Sequence, residues 1–234
     1  MRTSYFGIIA VCFISMSMPL HAEDKWAGAY AGISAGGVFG DVSVRDNPND
    51  GVPPGPFDYD LSGGLAGGTV GYNWTNGDMV FGVEGDIGYA SLDASGKILS
   101  ENSPEHWQDL TLSNGMLLDL TGRIGLSMGN VLFYGKGGVA LYTGSAMQDT
   151  TKPEYYSEGT GTFTGWTAGV GAEAFVAENI SVKAEYQYYD FGEQQAFQQA
   201  MTIDPPDTIM GAKFLNWHDV NFGTVKVGIN FHMN

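Results

Sequence analysis

Residues 81–89 read Phe81-Gly82-Val83-Glu84-Gly85-Asp86-Ile87-Gly88-Tyr89. Phe81, Val83, Ile87 and Tyr89 share one parity; Glu84 and Asp86 share the other. A period of two marks a strand with two unlike faces. The pattern recurs down the chain. Leu118, Leu120, Ile124 and Leu126 interleave with Asp119, Thr121 and Arg123. Val131, Phe133, Val139 and Leu141 interleave with Lys136 and small residues. Trp166, Ala168, Val170 and Ala172 interleave with Thr167, Gly169, Gly171 and Glu173. Ile180, Val182, Ala184, Tyr186 and Tyr188 alternate with Lys183, Glu185 and Gln187, and Val225, Val227, Ile229 and Phe231 with Lys226 and Asn230. Two glycine-rich stretches, 26–42 and 62–74, have a weaker period but the same Gly, Ala and aromatic content. Eight strands are expected, in one domain.

The connections alternate in length. Thr75-Asn76-Gly77-Asp78, Gly129-Asn130 and Glu178-Asn179 are short hairpin turns. The other four, around 43–61, 92–113, 144–163 and 192–218, are long and polar. The proline clusters (Pro53, Pro54, Pro56; Pro205, Pro206) fall only there, where no ladder donor is lost. Short turns on one rim and long loops on the other are the organisation of an outer-membrane barrel.

Composition agrees. Charged residues are 15% of the chain, against about 25% in soluble domains. Glycine is 35 of 234, about twice its usual share. A net charge of −16 offers no basic footprint for nucleic acid. Met1-Arg2-Thr3, the apolar run 5–20 and Leu20-His21-Ala22 read as a secretory signal peptide over 1–22, with the barrel domain over 23–234. The single Cys12 lies in that signal, so a thiol nucleophile or thiolate metal site is not expected after cleavage.

Alternation alone does not say which face points inward. A soluble barrel is apolar inside, and a membrane barrel is the reverse. Aromatic residues of the apolar face cluster at two depths: Trp26, Trp74, Phe81, Phe133 and Phe231 towards the short turns, and Tyr89, Trp166 and Tyr188 towards the long loops. Two depths suit two interfacial girdles. The polar face carries Glu84, Asp86, Asp119, Arg123, Lys136, Glu173, Lys183, Glu185 and Lys226, five acids and four bases set among glycines. The rest of the chain holds the other 21 of the 26 acids and few bases. Near-balance on one face suits an enclosed lumen, where an unpaired charge is very costly. The reading is therefore an all-β, eight-stranded antiparallel up-and-down transmembrane β-barrel, with short periplasmic turns, long extracellular loops and an interior charge network. Asp119 is placed nearest the outer rim. A barrel of eight strands is filled by side chains or holds one small ligand, so a wide diffusion pore is not expected.

Ordered pieces along the whole mature chain carry a family resemblance. They include Trp26-Ala-Gly-Ala-Tyr30-Ala-Gly32, Gly63-Gly-Leu-Ala-Gly-Gly68 with Gly71-Tyr-Asn-Trp74, and Gly82-Val-Glu-Gly-Asp86. Thr121-Gly-Arg-Ile-Gly125, 132–140, Gly165-Trp-Thr-Ala-Gly-Val-Gly-Ala-Glu173, 182–192 and Val225-Lys-Val-Gly-Ile-Asn-Phe231 complete them. In these the chain resembles the small outer-membrane β-barrel family of α-proteobacteria, which includes immunogenic porin-like surface proteins and haemin-binding members. The resemblance implies both termini in the periplasm, exposed loops, a cell outer membrane location and contact with lipid and lipopolysaccharide. It also implies a terminal aromatic residue read by the barrel-assembly machinery; here His232-Met233-Asn234 follow Phe231.

Gly169-x-Gly171-x-x-Ala174 fits the loose dinucleotide pattern but lies within a strand, not before a helix. Asp46-Asn-Pro-Asn-Asp50-Gly51 begins like a calcium loop, yet Phe57 stands where the bidentate Glu belongs. No metal site is expected. His106 and His218 each neighbour a Trp and an acid in or beside long loops. They supply the second reading, a loop-held haemin-like ligand; otherwise no cofactor is expected. The third is a lipid-modifying enzyme, for which Ser91 and Ser34 lack a well-placed base. The first reading is a non-enzymatic surface barrel serving envelope integrity and surface contact.

Overall fold

In the computed structural model the described residues are 25–45, 57–94, 97–100, 103–112, 114–150, 157–192, 194–199 and 213–233. The expected signal segment 1–22 and the acidic stretch 46–51 lie outside them. All the regular structure in the described residues is strand: β1 (Gly28–Arg45), β2 (Phe57–Asn76), β3 (Met79–Ala94), β4 (Lys97–Ser100), β5 (Ser103–Leu112), β6 (Gly115–Met128), β7 (Val131–Thr150), β8 (Ser157–Phe175), β9 (Ile180–Asp190), β10 (Gln194–Gln199) and β11 (Lys213–Met233). Eight of them close a ring in the order β1-β2-β3-β6-β7-β8-β9-β11, each antiparallel to its neighbours. The seam is the β1–β11 ladder, which runs from Ala29↔Met233 to Arg45↔Asn216. Closure gives every strand two partners, which hydrocarbon requires because it offers no hydrogen bond to an unpaired edge.

Two of the short turns are as tight as the sequence indicates. Gly77 and Gly129 take φ of 61° and 67°, the left-handed conformation that two-residue hairpins demand. The long side differs from expectation. Ladders run on into the stretches read as loops: β1 reaches Arg45, β2 begins at Phe57, and β7 pairs β8 out to Gln148↔Ser157. β5 pairs the outer end of β7, and β10 pairs the outer end of β11, so they prolong the walls that β6 and β9 begin. Backbone pairing needs no apolar face, so the sequence period fades while the ladder continues.

The apolar parity faces outward over the middle of the barrel. Ile33, Val70, Val83, Ile87, Leu120, Ile124, Val139, Val170, Val227 and Ile229 are all exposed. Towards the long-loop end the outward positions become polar: Asp60, Ser62, Ser91, Asn114, Thr162 and Thr164. The inward positions become apolar there, with Val38, Leu61, Leu65, Leu92, Leu117, Tyr142, Phe163, Tyr189, Phe191, Val220 and Phe222 forming one buried cluster. The wall is thus greasy outside over the belt and greasy inside above it.

Inward positions near the ionic layer leave little room. A Cβ on Gly138 would stand 2.8 Å from the Thr121 Cα on the adjacent strand, whereas a Cβ on outward Gly122 would meet nothing within 4 Å. Gly138→Ala is expected to destabilise the barrel by about 1–3 kcal/mol through overpacking, while Gly122→Ala changes it by less than about 0.5 kcal/mol. Heat-dependent gel mobility and thermal melting in detergent measure both; equal effects would contradict this assignment of faces.

Candidate functional site: the charged lumen

All nine charged residues that the sequence assigns to the polar face point into the barrel. Glu84, Asp119, Arg123, Lys136, Glu173, Lys183, Glu185 and Lys226 are buried, and the Asp86 side chain is 11% exposed. Lys136, on β7, lies at the centre. Its Nζ is 2.6 Å from Glu84, 2.8 Å from Asp86 and 3.3 Å from Glu185. These three carboxylates could together hold a metal ion by spacing. The Lys136 ammonium already bonds all three, so the geometry describes an ion-pair cage.

Around that cage the contacts reach every strand of the ring. Arg123 on β6 pairs with Glu84 on β3 at 3.4 Å and Glu173 on β8 at 3.2 Å. Its Nε donates to Asn73 on β2 at 2.9 Å, and its guanidinium lies 4.6 Å from the Tyr30 ring and 5.1 Å from the Tyr134 ring. Tyr30 on β1 donates to Glu84 at 2.7 Å, and Thr69 on β2 donates to Asp86. Lys226 on β11 pairs with Glu185 on β9 at 2.8 Å, and Lys183 lies 3.6 Å from Glu84. Carboxylates that accept several charged or neutral donors keep their ionic state without water.

Asp119 joins no salt bridge among the described residues. It accepts from Gln187 at 3.3 Å and Tyr189 at 2.9 Å, at the border between the ionic layer and the outer apolar cluster. Gln187 also accepts from Lys226 at 2.7 Å, linking Asp119 to the cage.

Seven of the eight expected girdle residues face outward. Trp74, Phe81, Tyr89, Trp166, Phe133 and Phe231 are exposed, and half-buried Tyr188 packs on Trp166 with ring centroids 5.6 Å apart. Trp26 is the exception. It is only 2% exposed and lies inside the short-turn mouth, against Phe175 at 4.5 Å. It precedes β1 and shares the parity of inward Tyr30, so the placement follows from the register, not from aromatic character.

Several lumen residues escaped the sequence reading. Tyr30, Tyr134, Asn73, Gln187, Ser181 and Asn230 are uncharged partners, invisible to a search for charge. His232 is buried, and its Nε2 lies 3.0 Å from Ser181 Oγ and 3.3 Å from Glu173 Oε1. Parity could have found it, since Phe231 faces out. This Ser-His-Glu group lacks a relay: both partners meet the same imidazole nitrogen, while Nδ1 has no partner. Ser91 is exposed on the outer wall and Ser34 is half-buried. His106 and His218 lie in strands whose side chains fall outside the described residues.

The sequence profile of the outer membrane protein beta-barrel domain matches residues 8–232. The chain belongs to the outer membrane β-barrel protein family. It is 32% identical over 211 residues to a 22 kDa outer membrane protein of Rhizobium leguminosarum bv. viciae, covering 90% of this chain and 82% of that protein. It is 30% identical over 218 residues to a 31 kDa outer-membrane immunogenic protein of Brucella melitensis, covering 88% and 83%. The crystal structure of the outer membrane protein OprG from Pseudomonas aeruginosa shares the fold at a TM-score of 0.53 and 14% identity, covering 88% of this chain and 97% of that one. The family and the fold place the protein in the cell outer membrane, so its exposed apolar belt faces lipid.

Removing one partner of a buried ion pair strands the other. Arg123→Leu leaves Glu84 and Glu173 short of a cation and is expected to cost about 3–5 kcal/mol. The loss would be read as a lower melting temperature in detergent; an unchanged transition would show that the lumen contacts do not hold the barrel together.

Proposed function

We propose that this outer-membrane barrel is a sealed, surface-exposed structural protein that serves envelope integrity and contact with the exterior, and that it is neither a diffusion pore nor an enzyme. The observation that carries this reading is the filling of the lumen in three layers. Trp26, Val80, Leu132 and Tyr134 occupy the short-turn end. The ion-pair cage occupies the middle. The aromatic and aliphatic cluster around Tyr142, Phe163, Tyr189, Phe191 and Phe222 occupies the outer end. An eight-stranded wall encloses only enough space for such side chains, and two dry layers flank the charges.

The catalytic alternative finds no support in the one Ser-His-acid group among the described residues, which is buried and lacks the two-nitrogen relay. The names of the relatives as immunogenic outer-membrane proteins fit surface exposure. In this reading the belt takes outer-membrane lipid and lipopolysaccharide as its surroundings. The barrel-assembly machinery reads the last strand, β11, in which Phe231 faces lipid and His232 turns into the lumen.

Planar bilayers containing the purified protein test the sealed lumen. No stepwise ionic current above that of protein-free bilayers is expected; steady single-channel conductance would overturn the reading.

A further inference from the structure

Trp26 precedes the first strand, yet it is among the most buried aromatic side chains. Its indole Nε1–H donates to the Gly129 carbonyl in the β6–β7 turn at 3.2 Å. Its own carbonyl accepts from Asn73 Nδ2 at 2.9 Å. The ring packs on Phe175 and meets the edge of His232 at 5.8 Å, and Phe175 lies 4.7 Å from His232. These contacts lay one indole across the short-turn mouth. Behind it lies Glu173, which accepts from Ser181 and Asn230, and then Arg123.

Two features separate this closure from the one at the other end. Trp26 joins the wall through Gly28, whose φ of 109° is a conformation that side-chain-bearing residues rarely adopt. It is held by side-chain contacts and two hydrogen bonds, not by a ladder. The outer closure is a layer of many side chains contributed by the strands of the ring themselves. The ionic layer between them also contains buried atoms with no protein partner: Arg123 Nη2, Asn230 Oδ1 and His232 Nδ1 towards the short-turn mouth, and Asp119 Oδ1 at its outer border. Polar atoms of that kind are satisfied when water reaches them.

We propose that Trp26 is a hinged lid over the periplasmic mouth. Swinging out at Gly28, it admits water to the lower, ionic half of the lumen while the outer apolar layer stays shut. The barrel then holds a blind polar chamber open only to the periplasm. The blind end rests on the sealed-barrel reading above; the lid does not.

Single cysteines read the two compartments, because the only native cysteine, Cys12, lies in the expected signal peptide, and any labelling of uncleaved chain is subtracted with the parent protein. Ser181→Cys reports the chamber, and Leu117→Cys reports the outer layer. The probe is a small, charged thiosulfonate applied to the full-length protein in detergent micelles. With Trp26 intact, Ser181→Cys is expected to react slowly. With Trp26→Ala added, it should react about a hundredfold faster, as loss of a buried aromatic closure implies, while Leu117→Cys stays protected. Rapid labelling of Ser181→Cys with Trp26 in place would overturn the lid, as would equal rates with and without the indole. Should Trp26→Ala fail the heat-mobility test for folding, Trp26→Leu and the Trp26-intact rate still decide. Bilayer current through Trp26→Ala alone would overturn the blind chamber; current through the unsubstituted protein would overturn both the chamber and the sealed-barrel reading.

Discussion

The Lys136 ammonium within 3.3 Å of three carboxylates is the interaction on which the interior depends. Burying a cation inside the cylinder costs several kcal/mol of desolvation before any partner is found. The cage supplies partners from β3 and β9, strands on different sides of β7 in the ring. The pairing is not a neighbour-to-neighbour ladder contact; it crosses the lumen. That geometry braces the cylinder, because a movement of one wall separates buried opposite charges. Tyr30, Thr69 and Asn73 extend the bracing to β1 and β2, which carry none of the nine lumen charges, and Gln187 on β9 links Lys226 to Asp119.

The same parity of side chain serves two opposite chemistries along one wall. On β6 the inward series runs Arg123, Thr121, Asp119 and then Leu117. On β9 it runs Lys183, Glu185, Gln187, Tyr189, and Phe191 follows the strand's end. The outward series changes in the contrary sense, from Ile87 and Tyr89 to Ser91 on β3. Lipid on the outside permits a polar interior, since the belt supplies the apolar burial. Once the wall leaves lipid its exterior meets water, and the interior must supply the apolar burial instead. The switch near Asp119 therefore marks the level at which the surroundings of the barrel change. It also explains why strands continue past the girdle of Tyr89, Trp166 and Tyr188, where a loop was expected.

Much of this was legible in the alternation. Eight strands, their hairpin turns at Gly77 and Gly129, and the inward direction of all nine charges follow from a period of two plus near-balance of charge. Three features were not legible, each for a physical reason. Trp26 has the composition of a girdle residue, and only the closed barrel shows that the parity it shares with Tyr30 faces inward there. The outer ladders carry no apolar-polar contrast across their faces, so their sequence looks like loop. The neutral members of the network, such as Gln187 and Asn230, cannot be told from solvent-facing amides until the wall closes. His232 fell between these cases: its inward direction followed from Phe231, but its partners Ser181 and Glu173 lie on other strands.

Filling the lumen also decides where the remaining charge can go. Inside, five acids stand against four bases, with Asp119 held by neutral donors where no cation reaches it. An enclosed layer tolerates no larger imbalance, because each surplus carboxylate would lie unpaired in a medium of low dielectric. The chain as a whole is nonetheless at −16, of which the nine lumen charges account for only −1. Interior positions are thus bound by mutual pairing and shape, whereas the exterior is free to carry a one-sided charge. In the surface-barrel reading proposed above, contact with other molecules is accordingly an exterior property, and the wall behind it is a scaffold whose stability is settled separately, inside.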